Sequence, residues 1–561
     1  MMSYLSILKS LRFHPWPWVF VMLLLSFGQD TAVGIIDVPL GNPSYEFIER
    51  METKGIIKGV RDGTRPLSRI KVAELLMQIE DSQNRYKLTE VEVRQLEWLK
   101  REFRYELEAL GASVVQEEDP HHGRWHLFAG GEGVGNQLWL DPVVRFSWDT
   151  RGGKTVYRRS WGGKIYGYLD DTIGFYLYTR DTSEWGKGIR HVGEKWREAW
   201  EKELKDPLRG GFSEKGIGHI GYYGDRIDHD EVDAAISIAL PWFKLEFGKG
   251  SNVWGPGYHG QIALSDWAPS YGQVKLSASY GSLLDFTYIH AWLHSGLVDT
   301  LRSYQTPEGF RRTLYRRRYL AGHRLEFTPL RGLDIGLSET VIYGDRGPEV
   351  LYLIPVMFFW SAQHYLGDPD NLQMSGDIDV NLIDGLRFYV SLFVDEIYIS
   401  KIFSRRGHHN WIGVQGGVHL VPLTGYLKDL DLRLEYTRIN PFVYSHKFPI
   451  NNFESYGYIL GHQIGSNADE IYARVNYRHK RPLLLSLYYN KVRKGELVSA
   501  EEAYNNPSQR FLSGEVEVLR TYGFGVTYEP MPNLFLNARY KLFSSSGGSE
   551  NGLSLSFRYN F

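Results

Sequence analysis

The sequence predicts a mainly β protein, a large antiparallel transmembrane β-barrel preceded by a small helical bundle. The first observation is two-residue alternation of apolar and polar side chains from Trp125 onward, which is typical of strands between lipid and a polar lumen. The second is the C-terminus, where one strand face carries Leu553, Leu555, Phe557, Tyr559 and Phe561, and the other carries Ser554, Ser556, Arg558 and Asn560. The third is an N-terminal segment that has the form of a secretory signal peptide.

The composition agrees with an exported β-rich protein. Aromatic residues make up 14% of the 561 residues, with 37 Tyr and 59 Gly, as expected of a protein with many strands, turns and membrane interfaces. The mean hydropathy of −0.33 is too low for a bundle of membrane helices. A barrel remains compatible with it, because only alternate strand residues face lipid. The absence of cysteine excludes disulfides and thiol chemistry.

The predicted signal peptide covers residues 1–33. Lys9 and Arg12 provide its positive region, and the apolar run from Val19 to Leu25 is too short to span a bilayer as a helix. Cleavage is expected between Ser26 and Gly34. A short membrane anchor is the alternative interpretation.

Residues 34–112 have the pattern of a small helical domain, which we expect in the periplasm. Asn42-Pro43-Ser44 begins a first helix, and Pro66-Leu67-Ser68 begins a second. Thr89-Glu-Val-Glu92 is a capping box for a third helix that ends before Gly111. Each predicted helix has one apolar face, so the three can pack against one another.

A polar linker, residues 113–124, then leads to the barrel, residues 125–561. Asp431–Tyr436 and Leu534–Leu542 are typical strands, in which charged residues alternate with apolar ones. At roughly 24 residues for each strand with its loop, this region accommodates about 18 strands, with 16 as the alternative. Bacterial barrels usually have an even number of strands.

Two segments interrupt the strand pattern. Trp185–Arg209 is highly charged and is expected to form a long loop with room for a helix. Leu351–Leu382 is expected to form a second long loop, and loops of this length are usually functional or plug the lumen. Its acidic and amide residues could hold Ca²⁺ or be a solvated acidic stretch: Asp368, Asp370, Asn371, Asp377 and Asp379.

One stretch resembles a known family. Phe247–Leu276 contains Trp254-Gly-Pro-Gly257, followed by Leu264-Ser-Asp-Trp-Ala-Pro269. These motifs resemble those of the capsule-assembly outer-membrane lectin family known as Wzi. Three later pieces also resemble this family: Ile354–Trp360 with His364, Glu435–Pro441 with Tyr444-Ser-His446, and Leu460-Gly-His462 through Gly465 with Asp469-Glu470. Two positions depart from its pattern, Gln363 and the pair Asp395-Glu396.

The resemblance implies an 18-stranded outer-membrane barrel with a periplasmic helical bundle, closed to free diffusion. Such a protein binds surface polysaccharide (capsule or exopolysaccharide) and helps to attach or assemble it. The resemblance implies no enzymatic activity and no cofactor. A porin or transporter for small solutes or oligosaccharides is the alternative, because the strand number alone also suits a channel.

The candidate glycan-binding residues come from the family-like segments. Flat aromatic rings can stack on sugars, and nearby polar groups can bond to hydroxyls. These candidates are Trp254, Tyr258, His259, Ser265, Asp266, Trp267, Trp360 and His364. The Trp254 turn also has a purely structural interpretation, in which the indole fills the lumen or anchors the interface.

Five arginines within eight residues are candidates for an anionic partner: Arg311, Arg312, Arg316, Arg317 and Arg318. Lipopolysaccharide phosphates, an acidic polysaccharide or lumen carboxylates all fit a guanidinium cluster. Lumen carboxylates are the commoner barrel filling.

Other chemistries find little support. Asp395 and Glu396 are neighbours on a strand and point to opposite faces, so they cannot flank one glycosidic bond. His408-His409 lacks a third ligand at metal spacing. With a net charge of −2, no nucleic-acid partner is expected. The remaining expected partners are lipopolysaccharide or outer-membrane lipid and the barrel-insertion machinery, which would read the C-terminal aromatic strand. We expect a monomer.

Overall fold

The computed structural model describes residues 35–82, 88–112, 126–131, 136–170, 172–187, 216–223, 226–396, 410–498 and 509–560. The predicted signal peptide, the predicted linker, residues 188–209 of the charged loop and His408-His409 lie outside the described residues.

Within these residues, eighteen antiparallel strands form one closed barrel, which confirms the prediction of about eighteen. The last strand pairs with the first, from Tyr559 opposite Val144 to Gly552 opposite Arg151, so the C-terminal strand closes the barrel. In chain order the strands are β1 Gln137–Arg151, β2 Lys154–Leu169, β3 Ile173–Trp185, β4 Arg226–Leu240, β5 Phe243–Gly250, β6 Tyr271–Tyr280, β7 Leu284–Val298, β8 Tyr315–Leu330, β9 Leu333–Gly344, β10 Asn371–Ile383, β11 Leu386–Glu396, β12 Trp411–Leu420, β13 Leu430–Ile439, β14 Ala468–Lys480, β15 Leu483–Lys494, β16 Glu517–Met531, β17 Leu534–Ser545 and β18 Gly548–Tyr559.

Strand β11 shows how the wall is built. Phe388, Val390 and Leu392 point outward and are exposed, whereas the alternating residues, among them Arg387 and Tyr389, are buried inside. This is the reverse of a water-soluble domain, and it is the arrangement expected of a barrel with lipid outside and a polar interior.

The two ends of the barrel differ in their connections. At one end most strands are joined by tight turns, such as 331–332 between β8 and β9 and 384–385 between β10 and β11. At the other end the connections are mostly long, including 251–270, 345–370 and 440–467. We call these the short-turn end and the long-loop end.

The N-terminal part forms four helices: α1 Pro43–Thr53, α2 Arg69–Ser82, α3 Glu90–Glu102 and α4 Arg104–Ala109. Asn42 caps α1, and Thr89 and Glu92 form the predicted capping box of α3. The predicted third helix is divided at Phe103, whose wholly buried ring packs under the Arg69 guanidinium. No helix among the described residues is long and apolar enough to cross a membrane.

The helical bundle docks on the short-turn end through buried ion pairs. Arg387 of β11 reaches Glu49 of α1 (3.2 Å) and Asp62 (2.9 Å), and it also bonds to Asp379 of β10. Arg433 of β13 lies 2.7 Å from the same Glu49 carboxylate. Opposite charges therefore hold the bundle on the polar inner wall.

The long-loop end is closed differently. Loops 251–270 and 440–467 fold into the lumen and form an apolar core with inward wall residues. Its fully buried members include Leu264, Phe453 and Leu460. We call these two loops the loop plug.

The plug and the bundle meet inside the barrel. Thr64–Arg65, between α1 and α2, pairs as a short antiparallel ladder with Val253–Trp254 of the loop plug. The amide of Gly255 also donates to the carbonyl of Gly63 over 2.7 Å. The lumen is thus filled from both ends along this line.

The prediction of one loop from Leu351 to Leu382 is wrong. The loop ends at Asp370 and contains a helix, α5 Phe359–Tyr365, and β10 follows it. Asp377 and Asp379 are two residues apart on β10 and face inward, where they bond to Arg324 and Arg387. They are paired lumen residues and do not form a solvated stretch.

Candidate functional site

The Trp254 turn lies deep in the lumen. Trp254 is 0% exposed, and its ring packs so closely on Gly322 of β8 that a Cβ there would come within 2.9 Å of the indole. Gly255 has a φ of 114°, a conformation that favours glycine in this tight turn. Trp254 therefore offers no ring face to a sugar, and in this fold it fills space, as the structural interpretation proposes.

Tyr258 and His259 follow the turn and are packed against the wall. The Tyr258 ring lies under the Arg433 guanidinium at 4.1 Å, and its hydroxyl accepts a 2.6 Å hydrogen bond from Arg474. His259 stacks on Tyr472 with 3.9 Å between ring centroids. Burial raises the pKa of the Tyr258 hydroxyl. Burial alone would lower the pKa of His259, but the Glu470 carboxylate outweighs it and the pKa lies above its ordinary value.

The second motif, Leu264–Pro269, mainly connects the two plug loops. The Ser265 hydroxyl donates to the carbonyl of Gly461 (2.5 Å), and the Trp267 ring meets Tyr458 edge-on at 6.0 Å. Asp266 instead lines an internal cavity. Trp267 stays partly exposed, and Asp266 lines the cavity.

This cavity, of about 630 Å³, occupies the part of the lumen beside β1–β6 that the plug leaves open. It extends from Asp37 and Asn560 at the short-turn end to His219 and Asp266 toward the long-loop end. Its walls carry charges of both signs and several tyrosines: Arg145, Arg158, Arg180, Glu184, Glu246, Lys275, Tyr166, Tyr176 and Tyr178. Such walls can bond to hydroxyl-rich ligands.

The cavity residues are those that sequence reasoning missed. Tyr166 stands opposite Tyr176 on β2 and β3, and Tyr178 lies two residues farther along the same face. The signal was present as tyrosines at two-residue spacing, Tyr166 with Tyr168 and Tyr176 with Tyr178. Inward and outward tyrosines follow the same spacing, so the pattern alone does not say which face they occupy.

Trp360 and His364 lie on α5 in the long loop 345–370. Both are exposed, with Trp360 at 47%, and their rings are 4.4 Å apart. Tyr365, the last residue of α5, is also exposed, and Phe358 lies beside Trp360. The structure thus brings these two candidates together on the outside of the long-loop end, apart from the buried Trp254 turn.

The arginine cluster lies at the start of β8 and on the hairpin before it, also at the long-loop end. Arg318 points inward and donates to the carbonyls of Pro449 and Ile450, each over 2.6 Å, which secures loop 440–467. Arg316 pairs with Asp345 at the exposed rim. Arg311, Arg312 and Arg317 are exposed. Arg318 therefore holds the plug, whereas the other four arginines of the cluster are exposed.

The comparisons with known proteins agree with this architecture. The family model "Capsule assembly protein Wzi" matches residues 215–546, which is more than half of the chain. Among solved structures, the chain is similar to Wzi of Escherichia coli, described as a carbohydrate-binding β-barrel outer-membrane protein involved in group 1 capsule assembly. That match has 13% identity and a TM-score of 0.57, and it covers 94% of this chain and 100% of the other.

The outer-membrane protein OprD of Pseudomonas aeruginosa is a weaker match, with 13% identity, a TM-score of 0.41, and coverage of 75% of this chain and 93% of that one. No curated protein sequence matches significantly. The family match over more than half of the sequence decides the assignment. The chain therefore belongs to the Wzi family of capsule assembly proteins, and its fold is that of an outer-membrane β-barrel.

Proposed function

We propose that this protein binds an acidic surface polysaccharide at its long-loop end and helps to assemble or attach it, without catalysing a reaction. In this arrangement the short-turn end and the helical bundle face the periplasm, since outer-membrane barrels have short periplasmic turns and longer external loops. Lipid and lipopolysaccharide surround the barrel, which acts as a monomer after its C-terminal strand has been read by the insertion machinery.

The observation that carries the proposal is an exposed aromatic ring and exposed guanidinium groups on two neighbouring loops of the long-loop end. Trp360 offers an apolar face of the kind that stacks on a sugar ring, and Arg311, Arg312 and Arg317 offer positive charge for carboxylates or phosphates on a glycan. The two elements belong to neighbouring loops, because Arg316 of β8 pairs with Asp345 at the beginning of loop 345–370. Carbohydrate binding by the structurally similar Escherichia coli protein supports the same reading.

Binding of the producer's own surface polysaccharide to detergent-purified protein tests the proposal. We expect Trp360→Ala, and separately the double variant Arg311→Gln with Arg312→Gln, to weaken binding by about tenfold or more, the equivalent of losing one well-placed contact. The arginine variant should also make binding less sensitive to salt.

The matched controls lie at the opposite end. Trp242, in the turn between β4 and β5, is exposed by the same 47% as Trp360, and Arg94 is an exposed arginine on α3. Trp242→Ala and Arg94→Gln should leave binding unchanged. Equal losses from the controls, or full binding by the long-loop variants, would contradict the proposed surface.

A porin or transporter is the second candidate, and the 630 Å³ cavity is the observation that favours it. A cavity that passes ions would give steady conductance in a planar bilayer. We expect a closed or briefly flickering trace, because the bundle and the loop plug meet inside the lumen. A large, steady conductance would favour the porin.

A further inference from the structure

Three of the residues in the late family-like segments converge on one point inside the barrel. Glu435 on β13, Glu470 on β14 and His462 in loop 440–467 each place a ligand atom within 4.8 Å of the other two. The side chains are almost completely buried, with 4%, 2% and 0% exposure. The loop plug covers this cluster.

The two carboxylates differ from those acids of the lumen that pair with arginine. Asp377 and Asp379 each bond to an arginine, as does Glu49 of the bundle. Among the described residues, neither Glu435 nor Glu470 has an ion pair with lysine or arginine, and Glu470 is paired instead with His259 at 3.0 Å. Buried carboxylates are normally paired with a cation or bound to a metal ion. Glu435 is held by three neutral hydrogen-bond donors.

His462 provides a second, independent observation that indicates a ligand. Its Nε2 atom is buried without a hydrogen-bond partner and lies 3.6 Å from Glu470 Oε2, which is too long for a good hydrogen bond. Ligand atoms in a tetrahedral zinc site stand about 3.3 Å apart, because each is about 2.0–2.2 Å from the ion. The observed gap suits two ligands of one small ion.

We propose that Glu435, His462 and Glu470 form a binding site for a divalent transition-metal ion, with Zn²⁺ as the best match. One imidazole nitrogen and two carboxylate oxygens are donors that zinc accepts, and three protein ligands leave a fourth position for water.

The surroundings of the site hold both carboxylates in place. Glu470 accepts a hydrogen bond from Asn490 (2.9 Å) on its Oε1 atom, and His259 Nδ1 lies 3.0 Å from its Oε2 atom. Glu435 accepts from the Tyr389 hydroxyl and from the backbone amides of Tyr258 and His259. Partners of this kind orient metal ligands. His259 is the most exposed residue of these surroundings, at 32%.

A bound ion would fasten the loop plug to the wall. His462 belongs to one plug loop, and Glu435 binds backbone amides of the other, while both glutamates belong to the barrel. An ion that binds only the folded state stabilises that state. The gain in free energy of unfolding rises with the logarithm of the ratio of the ion concentration to its Kd. The site is thus expected to make plug stability depend on zinc.

The test uses the full chain in detergent, without a histidine tag and stripped with a chelator. Titration with ZnCl₂ in a calorimeter should show one equivalent bound. His462→Gln and Glu470→Gln should each weaken binding by about tenfold or more. The control is His290→Gln on β7, another buried histidine, which bonds to Tyr343 and lies outside the cluster. It should bind like the parent protein.

A spectroscopic measurement covers the case in which a variant does not fold. Co²⁺ added to the parent protein should give the visible absorption of a tetrahedral site, and Zn²⁺ should remove it. The proposal is overturned if the parent protein binds less than half an equivalent of Zn²⁺, if it gives no such absorption, or if a folded His462→Gln variant binds as well as the parent.

Discussion

The barrel is closed at its two ends by different chemistry. At the short-turn end, the helical bundle is held by buried charges, with Arg387 and Arg433 on the wall and Glu49 and Asp62 on the bundle. At the long-loop end, the plug has a core of apolar side chains, including Phe453 and Leu460. The inner wall also differs between the two seals, since Phe393 and Ile439 beside the plug are apolar, whereas Arg387 and Arg433 beside the bundle are charged.

The difference follows from what each seal brings with it. The bundle already has its own apolar core, around Ile48, Met51 and Leu76, so only its outer, charged surface is left to meet the wall. The plug loops have no core of their own and must build one inside the barrel. A buried ion pair fixes the position of the groups that it joins, and it is lost when one partner is removed. Apolar packing is instead the sum of many small contacts.

The largest expected effect is at the Arg387 junction. Arg387→Met leaves Glu49, Asp62 and Asp379 without the guanidinium that they share, and breaking a buried ion pair in this way costs about 3–5 kcal/mol. Hydrogen exchange in α1 should rise accordingly, while exchange in the loop plug stays unchanged. Arg331→Met, at an exposed arginine in the turn after β8, is the control. A change below about 1 kcal/mol in α1 would show that charge does not hold the bundle.

A cavity in the plug should have a somewhat smaller effect, and it should destabilise the plug while the bundle stays unchanged. Leu460→Ala removes a fully buried side chain, at a cost of about 3 kcal/mol in the stability of the plug. Limited proteolysis should then cut loop 440–467 faster, with the bundle still protected. Phe448→Ala, in the same loop but 49% exposed, should change little. Equal cleavage of both variants would contradict an apolar plug.

The smallest expected effect is the loss of a contact in the segment before α1 at acidic pH. Asp37 is bonded to Lys244, at 2.5 Å, and to Lys275 on the inner wall. Burial alone would raise the pKa of Asp37, but the two ammonium groups outweigh it and lower the pKa to about 2. Because the folded pKa is depressed, this contact stabilises docking above pH 4 and is lost as the pH falls toward 2.

The contribution of Asp37 is about 2 kcal/mol, from a shift of nearly two pKa units. Exchange of the Val38 amide, which bonds to the Leu67 carbonyl, should therefore rise between pH 4 and pH 2. Asp37→Asn should flatten that dependence and raise exchange already at neutral pH. The same pH profile in parent and variant would contradict the assignment to Asp37.

Local sequence signals predicted most of the fold. The caps at Asn42 and Thr89 depend on neighbouring residues only, and the structure has both. Two-residue alternation likewise predicted the strands, because strand side chains alternate between faces whatever they pair with. The error at Leu351–Leu382 has a clear origin, since the inward aspartates of β10 resemble a solvated stretch until the pairing of β8, β9, β10 and β11 sets them against Arg324 and Arg387.

The candidate site was less predictable. The motifs around Trp254 mark residues that matter to this family fold, but a motif does not say whether an indole is exposed. Trp254 and Trp360 are both tryptophans in loops of the long-loop end, yet one is fully buried and the other is 47% exposed. The tyrosines of the cavity were missed for the same reason, because their shared wall forms only when β2 and β3 pair.

The class of the protein can be read from local patterns, because strand alternation, helix caps and the aromatic C-terminal strand all depend on residues that are close along the chain. Which groups meet inside the barrel depends instead on how the chain folds. Thr64 reaches Val253–Trp254, Arg387 gathers four carboxylates, and His462 joins Glu435 and Glu470 through contacts between separate parts of the chain. Closure of the barrel brings these parts together, and no local pattern specifies that geometry.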